Sequence, residues 1–299
     1  MAGFFNFCVS FNQILNLPRH STAMVHLKHN FQRISHPLGA KIIFSYGMTK
    51  CGSTLAFELA RTSLELSGFP QPVLPVDALG QNKRINFTRH LTEKQINNLE
   101  EAVQDVGYPI VIKTHTRPDP AVIDMIKRGK AIVHATYRDP REMALSMLDH
   151  GRMARLMGRN AFLEINTIDD ALANIRGQID SLTQWLYRPN CMPLFYHDLA
   201  FRMPLITKRI MTNLHIEGSE KIVKRHVLKK RFIQFNKGVR KRYKLEMSPN
   251  DQYRIRQEFL PFYKTLIRNR MFLPTDGAPI LKEGTLLTKS RGDTGQALS

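Results

Sequence analysis

What this chain has little of narrows its class first. Its three cysteines, Cys8, Cys51 and Cys191, are odd in number and far apart. They give no disulfide framework and no metal-ligand spacing, so a reducing compartment, the cytoplasm, is the expected location. No apolar run approaches the length of a membrane span. Acidic residues are scarce, with 25 Asp and Glu against 44 Lys and Arg, which leaves a net charge of +19. That surplus is uneven. From Phe201 to Lys244 there are fourteen Lys and Arg against only Glu217 and Glu220, and such a patch attracts anions by its long-range field. Aromatic residues hardly interleave with it beyond Phe232, Phe235 and Tyr243, so a base-stacking platform for nucleic acid is the weaker reading.

At 299 residues the chain suits one α/β unit with extensions. Strand-like and helix-like runs alternate from residue 41 to about 215, which argues for a parallel sheet covered on both faces. The divisions expected are an extension at 1–40, a domain at 41–270 and a disordered tail at 271–299, rich in Gly, Thr and Lys. The start, Phe4 to Val9, lacks a cationic region and is broken by Asn6. This argues against a secretory signal and leaves organelle targeting open.

The most informative stretch is 41–54. Lys41 to Phe44 reads as a buried strand, Gly47 to Thr54 as a turn, and Leu55 to Arg61 as helix. A turn of this kind aims backbone N–H groups and the positive end of a helix at a phosphate or sulfate. Lys50 adds charge, Ser53 and Thr54 add hydroxyls, and Gly52 allows close approach. The nucleotide P-loop places its Lys directly after the last Gly, whereas Lys50 lies two residues before Gly52. Cys51 is read either as a thiol acidified by the helix N-terminus and Lys50 or as a buried inert one.

Further segments follow. Ile110 to Ile112 is a strand signature ending in Lys113, Thr114 and His115. Lys113 and His115 are two apart, so an extended backbone points both to one face, and His115 suits a general base. Ala131 to Tyr137 is another strand, with Arg138 at its end. Asp139 and Pro140 then open a helix expected to run through Leu148, with Ser146 roughly two turns in. Arg138 offers a planar fork for a phosphate. Taken singly, each also reads as an ordinary turn, a surface histidine or a structural ion pair.

Elsewhere, helices are expected from Thr92 to Val106, Ile168 to Tyr187 and Pro204 to Leu214, and a strand from Met192 to Tyr196. Leu172, Ile175, Ile179, Leu182 and Leu186 fall at helical spacing and read as core. The proline-bearing segment Gly68–Phe87 reads as a loop over the functional edge.

In order along the chain, these segments resemble the sulfotransferase superfamily, whose members move a sulfuryl group from 3′-phosphoadenosine 5′-phosphosulfate (PAPS). Lys50-Cys51-Gly52-Ser53-Thr54 is similar to its 5′-phosphosulfate loop, and Lys113-Thr114-His115 to the segment carrying the catalytic base. Arg138 and Ser146 match the pair that holds the 3′-phosphate. Leu194 to Leu199 is similar to a strand-end Tyr-Glu-Asp-Leu segment. Lys237-Gly238, with Tyr243 and Met247 to Pro249, resembles a late loop closing over the cofactor.

The resemblance implies a P-loop-like three-layer α/β sandwich with a central, mostly parallel sheet, and PAPS as cofactor without a metal. It implies Lys50, Lys113 and His115 as catalytic residues. Lys50, Cys51, Gly52, Ser53, Thr54, Arg138, Ser146, Lys237 and Gly238 would bind the cofactor. The acceptor expected is a small molecule or carbohydrate, with anionic character favoured by the charge, and homodimer formation is left open. The alternatives are a Mg²⁺-dependent small-molecule kinase and a non-catalytic protein that binds nucleic acid or an anionic surface.

Overall fold

Short runs of β-branched and apolar residues, buried on both sides, build the centre of the molecule. The structure, a computed structural model, describes residues 36–80, 85–230 and 239–268. The expected extension (apart from its last residues), the expected tail, Lys237 and Gly238 therefore lie outside the described residues.

Among the described residues five strands, β1 (Ile42–Gly47), β2 (Phe87–Thr88), β3 (Ile110–Thr114), β4 (Ala131–Tyr137) and β5 (Cys191–Phe195), form one sheet in the order β2-β3-β1-β4-β5. Every pairing is parallel, with Ile42 opposite both Ile110 and Ala131 and Gly47 opposite Thr136. All residues of β1, β3 and β4 are buried, as a parallel sheet covered on both faces requires.

The helices are α1 (Ser53–Leu66), α2 (Val76–Leu79), α3 (Glu93–Val106), α4 (Pro120–Lys127), α5 (Pro140–Met157) and α6 (Ile168–Leu186). They continue with α7 (Tyr196–Phe201), α8 (Met203–Asn213), α9 (Glu220–Lys229), α10 (Tyr243–Glu246), α11 (Pro249–Glu258) and α12 (Leu260–Arg268). The period-two alternation of the strands sorts them into layers. Phe44, Tyr46, Ile112, Val133 and Tyr137 pack against Leu99, Met125, Met147, Leu172 and Trp185 of α3 to α6. Ile43, Val111, Ile132 and Leu194 face the other way, onto Phe57 of α1, Ile206 and Ile210 of α8, and Val227 of α9. The three-layer α/β arrangement is thus as the sequence indicates.

Local chemistry sets most boundaries where they were expected. Thr92 and Thr167 cap α3 and α6 with reciprocal capping boxes through Gln95 and Asp170. In α6, Leu172, Ile175 and Leu182 are fully buried, with Ile179 and Leu186 packed beside them.

Several boundaries differ: β1 runs on to Gly47 and α1 spans Ser53–Leu66, beyond the Lys41–Phe44 strand and the Leu55–Arg61 helix expected. Helix α5 continues to Met157 instead of stopping at Leu148. Gly151 is not a stop signal there, because a Cβ at Gly151 would sit 2.2 Å from the Ile165 carbonyl oxygen. It is a helical glycine that lets the following loop approach. Lys113 and Thr114 belong to β3 itself, and Tyr196 opens α7 where it had been assigned to the preceding strand. The Gly68–Phe87 segment contains the single turn α2.

Candidate functional site

The carboxyl ends of β1, β3 and β4 meet at the turn between β1 and α1. Lys50 has φ 64 and Gly52 has φ 81. Left-handed backbone is costly for a lysine and is tolerated where surrounding contacts enforce it. Those contacts come from both sides. Gln178 of α6 accepts from the Thr49 amide at 2.5 Å and donates to the Thr49 hydroxyl at 2.7 Å. The Cys51 thiol lies 2.5 Å from the Met48 carbonyl and 3.1 Å from that of Thr136. Gly52 has no room for a side chain, since a Cβ would meet the Tyr196 ring at 2.9 Å. Gly52 is also the N-cap residue of α1 and brings no capping side chain, although the Ser53 amide meets the Cys51 sulfur. The remaining first-turn donors and the positive end are left to whatever enters the turn.

Cys51 settles between its two readings. It is fully buried, and burial pushes its thiol up to about 12 in spite of nearby Arg138. The acidified-thiol expectation is therefore corrected: the sulfur braces the turn from inside. Ser53 is buried beside it, packed against Gly47.

The charged groups arrive from separate elements. Lys113, nearly buried in β3, donates to the Thr54 hydroxyl at 2.8 Å. His115, just past the strand, has Nδ1 2.7 Å from the Gly47 carbonyl oxygen. A carbonyl only accepts, so Nδ1 carries the proton and Nε2 is the basic nitrogen. Lys113 and His115 thus reach the two ends of one turn. Beneath them Trp185 donates to the Thr116 carbonyl at 2.9 Å and stacks on Tyr46, fixing this strand end against the core.

The Lys50 ammonium turns toward α5, 2.5 Å from His150 Nε2 and 5.5 Å over the Phe162 ring. Burial first, and Arg138 second, lower its pKa to about 8. Burial and Lys50 also lower His150. The pair therefore holds one proton, with charged Lys50 donating to a neutral imidazole.

Arg138 sits at the end of β4 and is 5% exposed. Its guanidinium donates to the Lys50 carbonyl at 3.0 Å and to Glu142 at 2.8 Å, and lies 3.9 Å over the Tyr196 ring. Its Nε is buried without a hydrogen-bond partner among the described residues. A buried donor of this kind is expensive unless a ligand meets it. Ser146 is buried on α5, and Asp139 caps that helix through the Arg141 amide at 2.9 Å.

Beyond Arg138 lies a half-open cleft lined by Arg138, Glu142, Tyr196, His197, Phe201 and Arg240 among others. His197 is 8% exposed and neither ring nitrogen has a hydrogen-bond partner among the described residues. Arg240 lies 4.7 Å over the Phe201 ring. The basic segment is not simply a solvated face, because Arg242 is buried and paired with Asp149 at 2.8 Å and Glu246 at 2.6 Å.

Lys50, Gly52, Thr54, Lys113, His115 and Arg138 are thus gathered round one turn. Tyr196 and His197, from the Leu194–Leu199 segment, join them, as do His150, Phe162, Gln178 and Glu142, which had not been singled out. Glu142 had a signal, four residues after Arg138 on a helix. Phe162 and Gln178 come from other elements and had none. Among the described residues no group of three or more His, Cys, Asp or Glu is placed to hold a metal ion, and no helix is long and apolar enough to cross a membrane.

No family model matches this chain, and no curated protein does. Among solved structures it is similar to retinol dehydratase in complex with retinol and PAP, at 17% identity over 77% of this chain and 83% of that one, TM-score 0.48. It is similar to mouse sulfotransferase SULT7A1 complexed with PAP, at 15% identity over 77% and 85%, TM-score 0.48. A sulfotransferase domain from the curacin biosynthetic pathway overlaps at 14% identity over 74% and 97%, TM-score 0.40. Likeness at this level settles nothing about activity, which is left to the residues themselves.

Proposed function

We propose that this chain is a sulfotransferase that moves a sulfuryl group from PAPS to a hydroxyl or amine of a small-molecule or carbohydrate acceptor. One observation carries the reading: two separate seats for an anion stand at the ends of the hydrogen-bonded neighbours β1 and β4. The first is the uncapped turn with Lys50, Lys113 and His115. The second is buried Arg138, with an unmatched Nε beside an aromatic and cationic cleft. A nucleotide bearing anionic groups at both its 3′ and 5′ positions suits two seats, whereas a single phosphate chain suits one.

PAPS, when bound, supplies an activated sulfuryl group on a phosphate leaving group. The residues fit it, because α1 opens on a glycine without a capping side chain and Arg138 has an unused donor. The donors of the β1–α1 turn, with Lys50, would hold the 5′-phosphosulfate and offset the charge that grows on the leaving oxygen. Lys113, already aimed at Thr54, would steady the sulfuryl oxygens. His115, with Nδ1 bound to a carbonyl, presents Nε2 to take the acceptor's proton. Arg138 and Ser146 would grip the 3′-phosphate, and Lys237 and Gly238 would close over it. Tyr196, stacked on Arg138, borders both seats. The positive charge favours an anionic acceptor, and the cytoplasm is the proposed place of action.

The test is release of 3′,5′-adenosine bisphosphate from PAPS, followed across phenol, sterol, hexosamine and tyrosyl-peptide acceptors with EDTA present. Acceptor-dependent release is expected. Turnover of ATP with Mg²⁺ and none of PAPS would replace this reading with a kinase.

A further inference from the structure

Helices α8 and α9 lie side by side on the face of the sheet away from α3 to α6, and their outer surface has no role in the reaction. On α9, Val223 and Val227 are buried. At 100° per residue, the opposite half of the helix carries Lys221, Ile222, Arg225, Leu228 and Lys229 within a 120° arc, with Arg225 near its middle. All five are exposed, Ile222 by 46% and Leu228 by 56%. Neighbouring α8 adds exposed Leu205, at 45%, and exposed Lys208. None of Lys208, Lys221, Arg225 and Lys229 forms a salt bridge with the described residues. From Phe201 to Lys230 there are eight Lys and Arg, and the only carboxylates are Glu217 and Glu220.

We propose that this α8–α9 surface docks the protein onto an anionic lipid membrane. The mixture of side chains selects that partner. Cations alone would suit any polyanion. Large aliphatic side chains left in water among them serve a lipid interface, where Ile222, Leu228 and Leu205 enter the boundary between headgroups and acyl chains while the cations meet lipid phosphates and carboxylates. A nucleic-acid surface would present aromatic rings for stacking, and the exposed arc of α9 has none. The proposal stands apart from the sulfuryl-transfer reading and survives its failure.

The test is cosedimentation of the full chain with vesicles of phosphatidylcholine alone and of phosphatidylcholine with 30% phosphatidylserine, at about 0.1 M salt. Binding to the anionic vesicles alone is expected. K221E/R225E/K229E should weaken it roughly a hundredfold. I222S/L228S, which keeps every charge, should weaken it about tenfold. Thermal melting within a degree or two of the parent confirms that each variant is folded, and the serine pair decides the matter if the charge reversals do not fold. Equal binding to both vesicle types, or binding indifferent to I222S/L228S, overturns the proposal. So does a short RNA or DNA duplex that binds this face more tightly than the vesicles do.

Discussion

The turns after β1 and β4 leave adjacent strands of one sheet, yet they finish their helices in opposite ways. After β4, Asp139 caps α5 through its own carboxylate and Pro140 takes the first position. Asp139 also binds Arg141 at 2.6 Å and the Tyr263 hydroxyl at 2.9 Å. After β1, a left-handed Lys50 and Gly52 lead into α1 with no side-chain cap. The self-sufficient turn contributes one side chain, the buried Arg138. The unfinished turn contributes its backbone. Strain and unmet donors are concentrated where a ligand would relieve them, and the stable turn next door holds the frame.

Breaking the chemistry at the unfinished turn should have the largest effect. Lys50→Ala and His115→Ala should each lower PAPS turnover by on the order of a hundredfold or more. His115→Ala should bind 3′,5′-adenosine bisphosphate almost as the parent does, measured by calorimetry. Near-parental turnover in that variant would remove His115 as the base.

Arg138 tests whether the two seats are separable. Arg138→Ala leaves Glu142 buried and unpaired, so a loss of about 3–5 kcal/mol is expected in denaturant unfolding. The double variant R138M/E142L should regain most of that stability while still failing to bind the bisphosphate. Recovery of binding in the double variant would show that Arg138 is only structural.

Matched substitutions in the two turns sharpen the contrast. Gly52→Ala forces a Cβ against Tyr196 at φ 81, costs about 1–2 kcal/mol and should abolish bisphosphate binding. Asp139→Ala should cost a similar 1–2 kcal/mol or so through the lost cap while binding persists. Equal losses of binding in both would erase the distinction between them.

A smaller effect comes from pH. Lys50 is lowered to about 8, so its charge is present below that value and disappears as pH rises through it. Bisphosphate affinity should fall between pH 7 and 9 in the parent and change less in Lys50→Met. Stability moves the other way: the unfolded chain keeps this proton to higher pH, so folding gains as pH rises from about 8 toward the ordinary lysine range. Least affected of all should be Cys51. Buried and with its pKa pushed up to about 12, it should resist iodoacetamide in the native protein and react on denaturation, as peptide mapping would record.

The fold was legible because its signals are local. Apolar runs such as Ile110 to Ile112, the Thr92 cap and the α6 stripe each act within a few residues. The backbone motifs of the site were legible for the same reason. What escaped was tertiary. Nothing near Lys50 in the chain announces His150, a hundred residues on, or Phe162 and Gln178, which fix the turn from other elements. Cys51 was open in the sequence because a helix N-terminus and burial push a thiol in opposite directions, and only the packing shows that burial wins.

The measurement that tests the central claim most directly is the melting temperature of the parent protein and of Gly52→Ala with 3′,5′-adenosine bisphosphate, ADP, or ATP and Mg²⁺. A ligand held only by the folded state at about a hundred times its dissociation constant adds roughly 2.7 kcal/mol. The account predicts a metal-independent rise with the bisphosphate, a smaller one with ADP, and neither in Gly52→Ala. No rise in the parent, or the same rise in both proteins, would contradict the assignment of the uncapped turn as the anion seat.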